Sequence, residues 1–294
     1  MIRVLTLSWP TPNEAWAEEL AAQASLWAGG AQYEDTWVKI FFEKAPFDLQ
    51  TWLRDLEARS PQPLSVTEEE IQEEAWWETW KAYYRPLEVG SFWIGPPWWE
   101  GSPPTQRIPV IIDPGKAFGT GQHASTRLAL LGLEEALSRS LPHRAADVGT
   151  GSGILALALW EWSQQKGWPL SLWAIDIDPR AVEAAEENFR RSAQGPFARH
   201  VQFLAGGPSL LPPAHDLILG NLTLEIHQEV APLLAQKLGD GGLLVASGIL
   251  LSEREAGQKV FLNQGLHMEW EAEEEGWWGS LWKKGGPLLN IIVD

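Results

Sequence analysis

The amino-acid sequence predicts an α/β protein whose main domain is a doubly wound, mostly parallel sheet of seven strands, closed by a C-terminal antiparallel hairpin. Three observations carry this prediction. Strand-like and helix-like stretches alternate from about residue 105, a glycine-rich turn follows the first strand of that series, and an acidic turn at residues 273–276 separates the last two strands. A smaller α+β unit with a ferredoxin-like layout is predicted in front of this sheet.

The front domain is predicted to span residues 1–62. Residues 2–7 and 35–42 are rich in β-branched and aromatic side chains and indicate strands. Residues 13–27 and 47–58 indicate helices, and a Ser-Pro-Gln-Pro stretch ends the second of them.

Residues 63–104 are predicted to connect the two domains. Thr67 and Glu70 have the spacing of a capping box, and three glutamates follow each other where the dipole of a first helical turn favours negative charge. We therefore expect a helix from about residue 67 to residue 84, whose tryptophans we interpret as packing residues. A strand at residues 91–94 and several prolines complete the expected connector.

The main domain is predicted to span residues 105–294. Strands are expected at residues 145–148, 170–176, 200–205, 216–220, 242–246, 266–271 and 277–282, and helices at residues 123–138, 154–164, 180–191, 224–238 and 253–261. Strands that alternate with helices imply a parallel sheet covered on both faces, and the short spacing of the last two strands indicates a hairpin.

Composition excludes several functions. The chain has no cysteine, and none of its six histidines lie three to five residues apart, so we expect no metal and no thiol chemistry. A net charge of −17 disfavours a direct nucleic-acid partner and favours a basic one, although it can also serve solubility alone. Without a signal peptide or a long apolar run, we expect a cytoplasmic monomer with no membrane segment.

The most informative motif is Asp-Val-Gly-Thr-Gly-Ser-Gly at residues 147–153. Gly149 and Gly151 would let the backbone approach a ligand and turn into the next helix. Dinucleotide sites have a third glycine where this chain has Ile154. The carboxylate of Asp147 would repel a pyrophosphate but suits the amino group, or a bound water, of a methionine-like ligand. A tight turn without a ligand is the alternative.

An acidic residue also follows the second strand of the predicted sheet. Asp176 lies one helix and one strand after the glycine turn, where a carboxylate can accept hydrogen bonds from both hydroxyls of a ribose. Asp178 precedes Pro179 and is expected to cap the next helix instead.

A second glycine-rich segment, at residues 118–126, opens the helix before the sheet. A helix N-terminus can bind a carboxylate, so we expect Phe118, Gly119 and Thr120 to contact the same ligand, with Thr126 as a hydroxyl partner. The alternative is that Ser125 or Thr126 only caps the helix.

Asn221 ends the buried strand at residues 216–220, at the edge where open parallel sheets bind ligands. Its side-chain carbonyl and nearby main-chain carbonyls can accept hydrogen bonds from an incoming amine. The alternative is an asparagine that only turns the chain.

Taken together, these segments resemble the bacterial ribosomal protein L11 methyltransferase family. The resemblance rests on residues 113–123, 147–153, 175–179, 220–222 and 247–250, and it covers about residues 105–285. It implies a Rossmann-like domain that binds S-adenosylmethionine through Thr126, Gly149, Asp176 and Asn221. It also implies a front domain that holds ribosomal protein L11, and N-methylation of lysine ε-amines and the N-terminal amine, up to trimethylation.

For such a reaction the accepting amine must be neutral. Deprotonating a free lysine costs about 4.6 kcal/mol at pH 7, and a neighbouring sulfonium lowers this cost by repelling the ammonium charge. We therefore expect positioning rather than a dedicated base, with Asn221 orienting the amine and Phe118 forming a wall of the channel. His123 is interpreted as a capping or packing residue.

Three other functions are weighed against this one. The acceptor could be a small molecule or another protein, and the chain could be an adaptor that binds S-adenosylmethionine without turnover. The glycine spacing and the terminal hairpin disfavour a dehydrogenase. Methylation of glutamine amides or DNA bases is disfavoured because residues 221–224 read Asn-Leu-Thr-Leu and offer no aromatic ring for stacking.

Overall fold

The computed structural model describes residues 2–25, 28, 30–42, 45, 47–71, 85–113, 121–193 and 196–285. The chain divides into two compact units, residues 1–84 and 85–294. Within the described part of the chain, no helix is long and apolar enough to cross a membrane.

The front unit is a four-stranded antiparallel sheet with two helices. Its elements are β1 (Ile2–Ser8), α1 (Glu14–Ser25), β2 (Gly30–Glu34), β3 (Trp37–Phe42), α2 (Leu49–Arg59) and β4 (Ser65–Ile71). The strands lie in the order β2-β3-β1-β4, and every neighbouring pair is antiparallel. This βαββαβ order is the ferredoxin-like arrangement.

One face of that sheet forms the core of the front unit. Leu5 and Leu7 of β1 point to this face, and both are fully buried in a cluster with residues of the two helices. Helix α2 contributes Leu53 and Leu56, and its N-cap Asp48 accepts a hydrogen bond from the Thr51 hydroxyl at 2.6 Å.

The predicted connector at residues 63–104 is wrong at both of its ends. Residues 65–71 form strand β4 and not the start of a helix, because they pair with the whole length of β1, from Ser8↔Ser65 to Ile2↔Ile71. Long-range pairing thus overrides the local capping-box spacing of Thr67 and Glu70. The remainder of the predicted helix, residues 72–84, lies outside the described residues.

At its other end, the predicted connector is part of the second unit. Three short strands, β5 (Leu87–Val89), β6 (Phe92–Gly95) and β7 (Ile108–Ile111), form a small sheet in that order. Ile94 and Val110 are fully buried in the same core as the main sheet, so this segment packs as part of the larger unit.

The structure confirms the predicted seven-stranded sheet. Its further elements are α3 (Ala124–Arg139), β8 (Arg144–Val148), α4 (Ile154–Lys166), β9 (Ser171–Asp176), α5 (Pro179–Ser192), β10 (Val201–Ala205), β11 (His215–Asn221), α6 (Leu224–Lys237), β12 (Leu238–Leu250), α7 (Arg254–Leu262), β13 (Leu266–Glu274) and β14 (Trp277–Lys284). The strand order is β10-β9-β8-β11-β12-β14-β13. The first five strands are parallel, and β14 and β13 form the antiparallel hairpin at the edge.

Both faces of this sheet are buried. Successive residues of β11 point to opposite cores, with Leu217 and Leu219 in one and Ile218 in the other. The carboxyl ends of β8, β9, β11 and β12 lie along one edge of the sheet. The chain leaves β8 toward β9 on one side, and β11 lies on its other side, so the β8–β11 boundary is the topological switch point where open sheets bind ligands.

Candidate active site

The glycine turn after β8 is shaped by left-handed backbone conformations. Gly149, Gly151 and Gly153 have φ angles of 72°, 52° and 83°. A Cβ atom on Gly149 would lie 2.4 Å from the Leu222 Cδ2 atom, and one on Gly153 would lie 3.0 Å from the Ala185 Cβ atom. Glycine is therefore required here both by conformation and by space.

The same turn is fastened to the neighbouring strand. The backbone N–H groups of Gly149 and Thr150 both donate to the Ile175 carbonyl, each at 2.9 Å. The Gly153 N–H donates to the Thr150 carbonyl at 2.8 Å, so the turn is already formed in the free protein.

Asp147 lies directly beneath this turn, and only 1% of its surface is exposed. Its Oδ2 atom accepts hydrogen bonds from the Thr150 hydroxyl at 2.7 Å and from the Ala156 N–H in the first turn of α4 at 3.1 Å. Its Oδ1 atom is buried and accepts no hydrogen bond from the described residues. Burial raises the pKa of Asp147 to about 6, and the nearby charge of Asp176 also raises it.

Asp176 and the glycine turn face each other. The Asp176 Oδ2 atom accepts the Gly151 N–H at 3.0 Å, and its Oδ1 atom accepts the Asp178 N–H at 3.0 Å. An ionised carboxylate has about four acceptor positions, so two remain for further hydroxyl donors. Asp178 caps α5 through the Arg180 N–H at 2.9 Å, which confirms its predicted capping role.

Asn221 and Thr126 meet across the sheet edge although 95 residues separate them in the chain. The Asn221 Nδ2 atom donates to the Thr126 hydroxyl oxygen at 3.3 Å. This bond fixes the amide so that its Oδ1 atom is left as an acceptor, and none of the described residues uses it. Thr126 is fully buried, and Asn221 donates to its hydroxyl oxygen.

The start of α3 differs in detail from the sequence prediction. The helix cap is His123, whose Nδ1 atom accepts the Ser125 N–H, and not Ser125 or Thr126. The His123 ring also contacts the Trp277 ring edge-on at 4.6 Å between centroids, in agreement with its interpretation as a capping and packing residue. Burial lowers the pKa of His123. Phe118, Gly119 and Thr120 lie outside the described residues.

Two buried residues to which the sequence analysis gave no individual role, Ser247 and His227, support this part of the sheet. The hydroxyl of Ser247, which lies in β12 opposite Asn221, donates to the Ser125 carbonyl at 2.8 Å, and its own carbonyl accepts the Leu222 N–H at 2.9 Å. The His227 Nε2 atom donates to the same Ser247 carbonyl at 3.0 Å. Ser247 belongs to the segment 247–250 that carries the family resemblance, and this resemblance is its signal in the sequence.

Asn188 on α5 is a third such residue. Its side chain accepts the Asp113 N–H at 2.9 Å and donates to the Ser152 carbonyl at 2.9 Å. It thus joins the end of the segment after β7 to the glycine turn. Its signal in the sequence was weak, because a polar residue on a helix is most often exposed.

The electrostatics of this edge favour a cation. Asp147 and Asp176 lie together at the glycine turn, and neither takes part in any ion pair formed by the described residues. A pyrophosphate would add negative charge to this pair, whereas a ligand with a sulfonium and an ammonium group would neutralise it.

The fold and this site together define the class of the protein. A parallel sheet closed by an antiparallel C-terminal hairpin, with a glycine turn after β8 and an acid at the end of β9, is the arrangement of S-adenosylmethionine-dependent methyltransferases. The solved ribosomal protein L11 methylase from Lactobacillus delbrueckii subsp. bulgaricus resembles the chain with a TM-score of 0.57 and 28% identity, over 69% of this chain and 100% of that one.

The family follows from sequence comparison. The family model described as ribosomal protein L11 methyltransferase (PrmA) matches residues 14–284, and the chain belongs to this family. The ribosomal protein L11 methyltransferases of Symbiobacterium thermophilum and Thermus thermophilus are 38% and 35% identical to it over 208 and 215 residues. These matches cover 70% and 71% of this chain, and the chain spans 65% and 77% of the length of those relatives.

Proposed function

We propose that this protein transfers the methyl group of S-adenosylmethionine to amines of ribosomal protein L11. The observation that carries the proposal is the meeting of two features at one sheet edge. The Asp176 carboxylate accepts the Gly151 N–H at 3.0 Å, and the Asn221 amide, on the neighbouring side of the switch point, has a buried carbonyl oxygen that accepts no hydrogen bond from the described residues. The first feature suits a nucleoside, and the second suits an amine.

The residues at the glycine turn fit the cofactor. Asp176 would hold the ribose hydroxyls, and the bare Cα atoms of Gly149 and Gly151 would allow close approach. The Oδ1 atom of Asp147, which accepts no hydrogen bond from the described residues, would face the positive end. S-Adenosylmethionine supplies an electrophilic methyl group when bound. The contacts expected from Phe118, Gly119 and Thr120 are part of this proposal.

The chain's own contribution at the acceptor side is orientation. The Asn221 Oδ1 atom would accept an N–H of the incoming neutral amine and turn its lone pair toward the methyl group, while Thr126 holds the amide in that orientation. Phe118 would form the wall of the acceptor channel. Since His123 is used in capping α3, the proposal assigns no dedicated base.

The front unit, residues 1–84, is proposed to hold the protein substrate. Recognition of a basic ribosomal protein would suit the net charge of −17. We further propose that the enzyme acts in the cytoplasm as a monomer and does not contact nucleic acid directly.

Mass spectrometry of purified ribosomal protein L11 after incubation with this enzyme and S-adenosylmethionine tests the proposal. We expect mass increases of 14 Da per methyl group, roughly the mass of one CH₂, and a loss of at least about a hundredfold in rate for Asp176→Ala. Calorimetry with S-adenosylmethionine provides the second readout. Cofactor binding without any methylated L11 would favour a different acceptor, and no binding at millimolar cofactor would refute the proposed site.

A further inference from the structure

The tip of the β13–β14 hairpin, residues 274–277, contacts the first turn of helix α3. Arg127 on α3 forms two ion pairs with the tip, from its Nε atom to Glu274 at 2.8 Å and from its Nη2 atom to Glu275 at 2.6 Å. The remaining nitrogen, Nη1, donates to the Gln122 carbonyl in the segment that leads into the helix. One guanidinium therefore joins the hairpin to the entry of α3.

Two further contacts hold the tip in place. Trp277 packs against the ring of His123, the cap of α3, with 4.6 Å between ring centroids. The Gly276 carbonyl accepts the Leu251 N–H at 2.8 Å, which ties the tip to the residue that follows β12. The Arg127 side chain is 18% exposed, whereas those of Glu274 and Glu275 are 35% and 53% exposed, so solvent screens the pair with Glu275 more than the pair with Glu274.

The turn itself has an unfavourable residue for its shape. Glu275 and Gly276 form a two-residue turn with φ angles of 47° and 76°, and hairpins of this kind favour asparagine, aspartate or glycine at both positions. A glutamate in the left-handed region costs about 1 kcal/mol or more. The carboxylate of this strained residue forms an ion pair with Arg127, which is a favourable interaction at the same position.

The first turn of α3 matters because it carries the partners of the acceptor site. The Thr126 hydroxyl accepts the Asn221 amide at 3.3 Å, and the Ser125 carbonyl accepts the Ser247 hydroxyl at 2.8 Å. A displacement of this turn would therefore move Asn221, and small misplacements of a reacting group can lower the rate by large factors.

We propose that the hairpin tip is a clamp that positions the first turn of α3 for methyl transfer, with Arg127, Glu274 and Glu275 as positioning residues. The expected effect of the clamp on the reaction rate rests on the proposed function. Its expected effect on the order of α3 does not rest on that function. By this proposal, the terminal hairpin supports the methyl transfer in addition to completing the sheet.

The Glu275→Asn variant distinguishes an effect on the position of the first turn of α3 from an effect on the stability of the protein. Asparagine suits the positive φ but is too short and uncharged to keep the ion pair, so we expect an unchanged or higher melting temperature. We also expect amide hydrogen exchange at residues 122–127 to become about tenfold faster, and kcat with L11 to fall by about tenfold with a smaller change in the KM for S-adenosylmethionine. Arg127→Lys, which keeps the charge but loses the planar fork, should show the same exchange and rate changes.

Glu273→Gln is the matched control, since it removes one negative charge from the same strand at a residue without an ion pair among the described residues. Wild-type exchange at residues 122–127 and wild-type kcat in Glu275→Asn would overturn the clamp, as would equal effects in Glu273→Gln. Exchange is measured on the free protein, so a failure of L11 methylation alone would refute the proposed function and leave this test standing.

Discussion

At the scale of single residues, the orientation of one amide decides the chemistry that is available. The Asn221 Nδ2 atom is taken by the Thr126 hydroxyl, so the group left for a substrate is a hydrogen-bond acceptor. An acceptor orients a neutral amine through its N–H and leaves the nitrogen lone pair free to attack. An amide turned the other way would present a donor and would compete for that lone pair.

Replacement of Asn221 by alanine should therefore affect turnover far more than cofactor binding. We expect kcat with L11 to fall by about a hundredfold or more, and the Kd for S-adenosylmethionine to change by less than about threefold. Initial rates and calorimetry measure the two quantities. Asn263→Ala, at an exposed residue that follows α7, serves as the control. If the Kd for S-adenosylmethionine rose as much as kcat fell, the proposal that Asn221 orients the amine would be contradicted.

At the scale of the secondary-structure elements, the glycine turn joins β8 to α4 under tight spatial limits. Gly153 is the N-cap of α4 in the left-handed conformation, and α5 passes so close that a Cβ atom would lie 3.1 Å from the Ala185 Cα atom. The same approach brings Asn188 of α5 to the Ser152 carbonyl. The close packing of α5 and the shape of the glycine turn therefore depend on each other.

Gly153→Ala should lower the free energy of unfolding by about 1–3 kcal/mol, because alanine would be strained at φ 83° and would press on a backbone atom that cannot move aside. Urea unfolding measures this change. Gly207→Ala is the matched control, since Gly207 has an extended backbone and nothing within 4 Å of an added Cβ. A similar loss in both variants would contradict the argument.

At the scale of the whole molecule, three buried titratable groups link stability to pH. Burial lowers the pKa values of His215 and His227 to about 4, below the usual 6.5, while burial raises the pKa of Asp147 to about 6. The two histidines stabilise the fold above pH 6.5, and this contribution is lost as the pH falls toward 4. Asp147 acts in the opposite direction, because its contribution is lost as the pH rises from 3.8 to about 6.

Two histidines outweigh one aspartate, so the free energy of unfolding should be about 1–3 kcal/mol lower at pH 5 than at pH 7. Urea titrations at the two pH values test this prediction. His215→Phe, which keeps a buried ring of similar shape, should reduce the difference by more than half, because the opposing contribution of Asp147 remains. Equal stability at both pH values in the wild-type protein would contradict the lowered pKa values of His215 and His227.

Also at this scale, the sequence predicted the sheet of the second unit better than the elements before it. The motifs at residues 147–153 and 175–179 indicate their strand ends locally, and the structure places Asp176 at the glycine turn as expected. Strand β4 could not be found this way, since Thr67 and Glu70 imitate a helix start and only pairing with β1 decides their conformation. The Thr126–Asn221 contact also joins distant segments and has no local signal.

The fastening of the glycine turn to the Ile175 carbonyl has a kinetic consequence. A cradle that exists before the nucleoside arrives loses little conformational freedom on binding, and none of its described groups is specific for the transferred carbon. The spent sulfur compound lacks both that carbon and the positive charge on sulfur, so Asp147 and Asp176 should hold it less firmly than the charged cofactor. Its departure after each methyl transfer is then expected to be faster than the loss of unused cofactor.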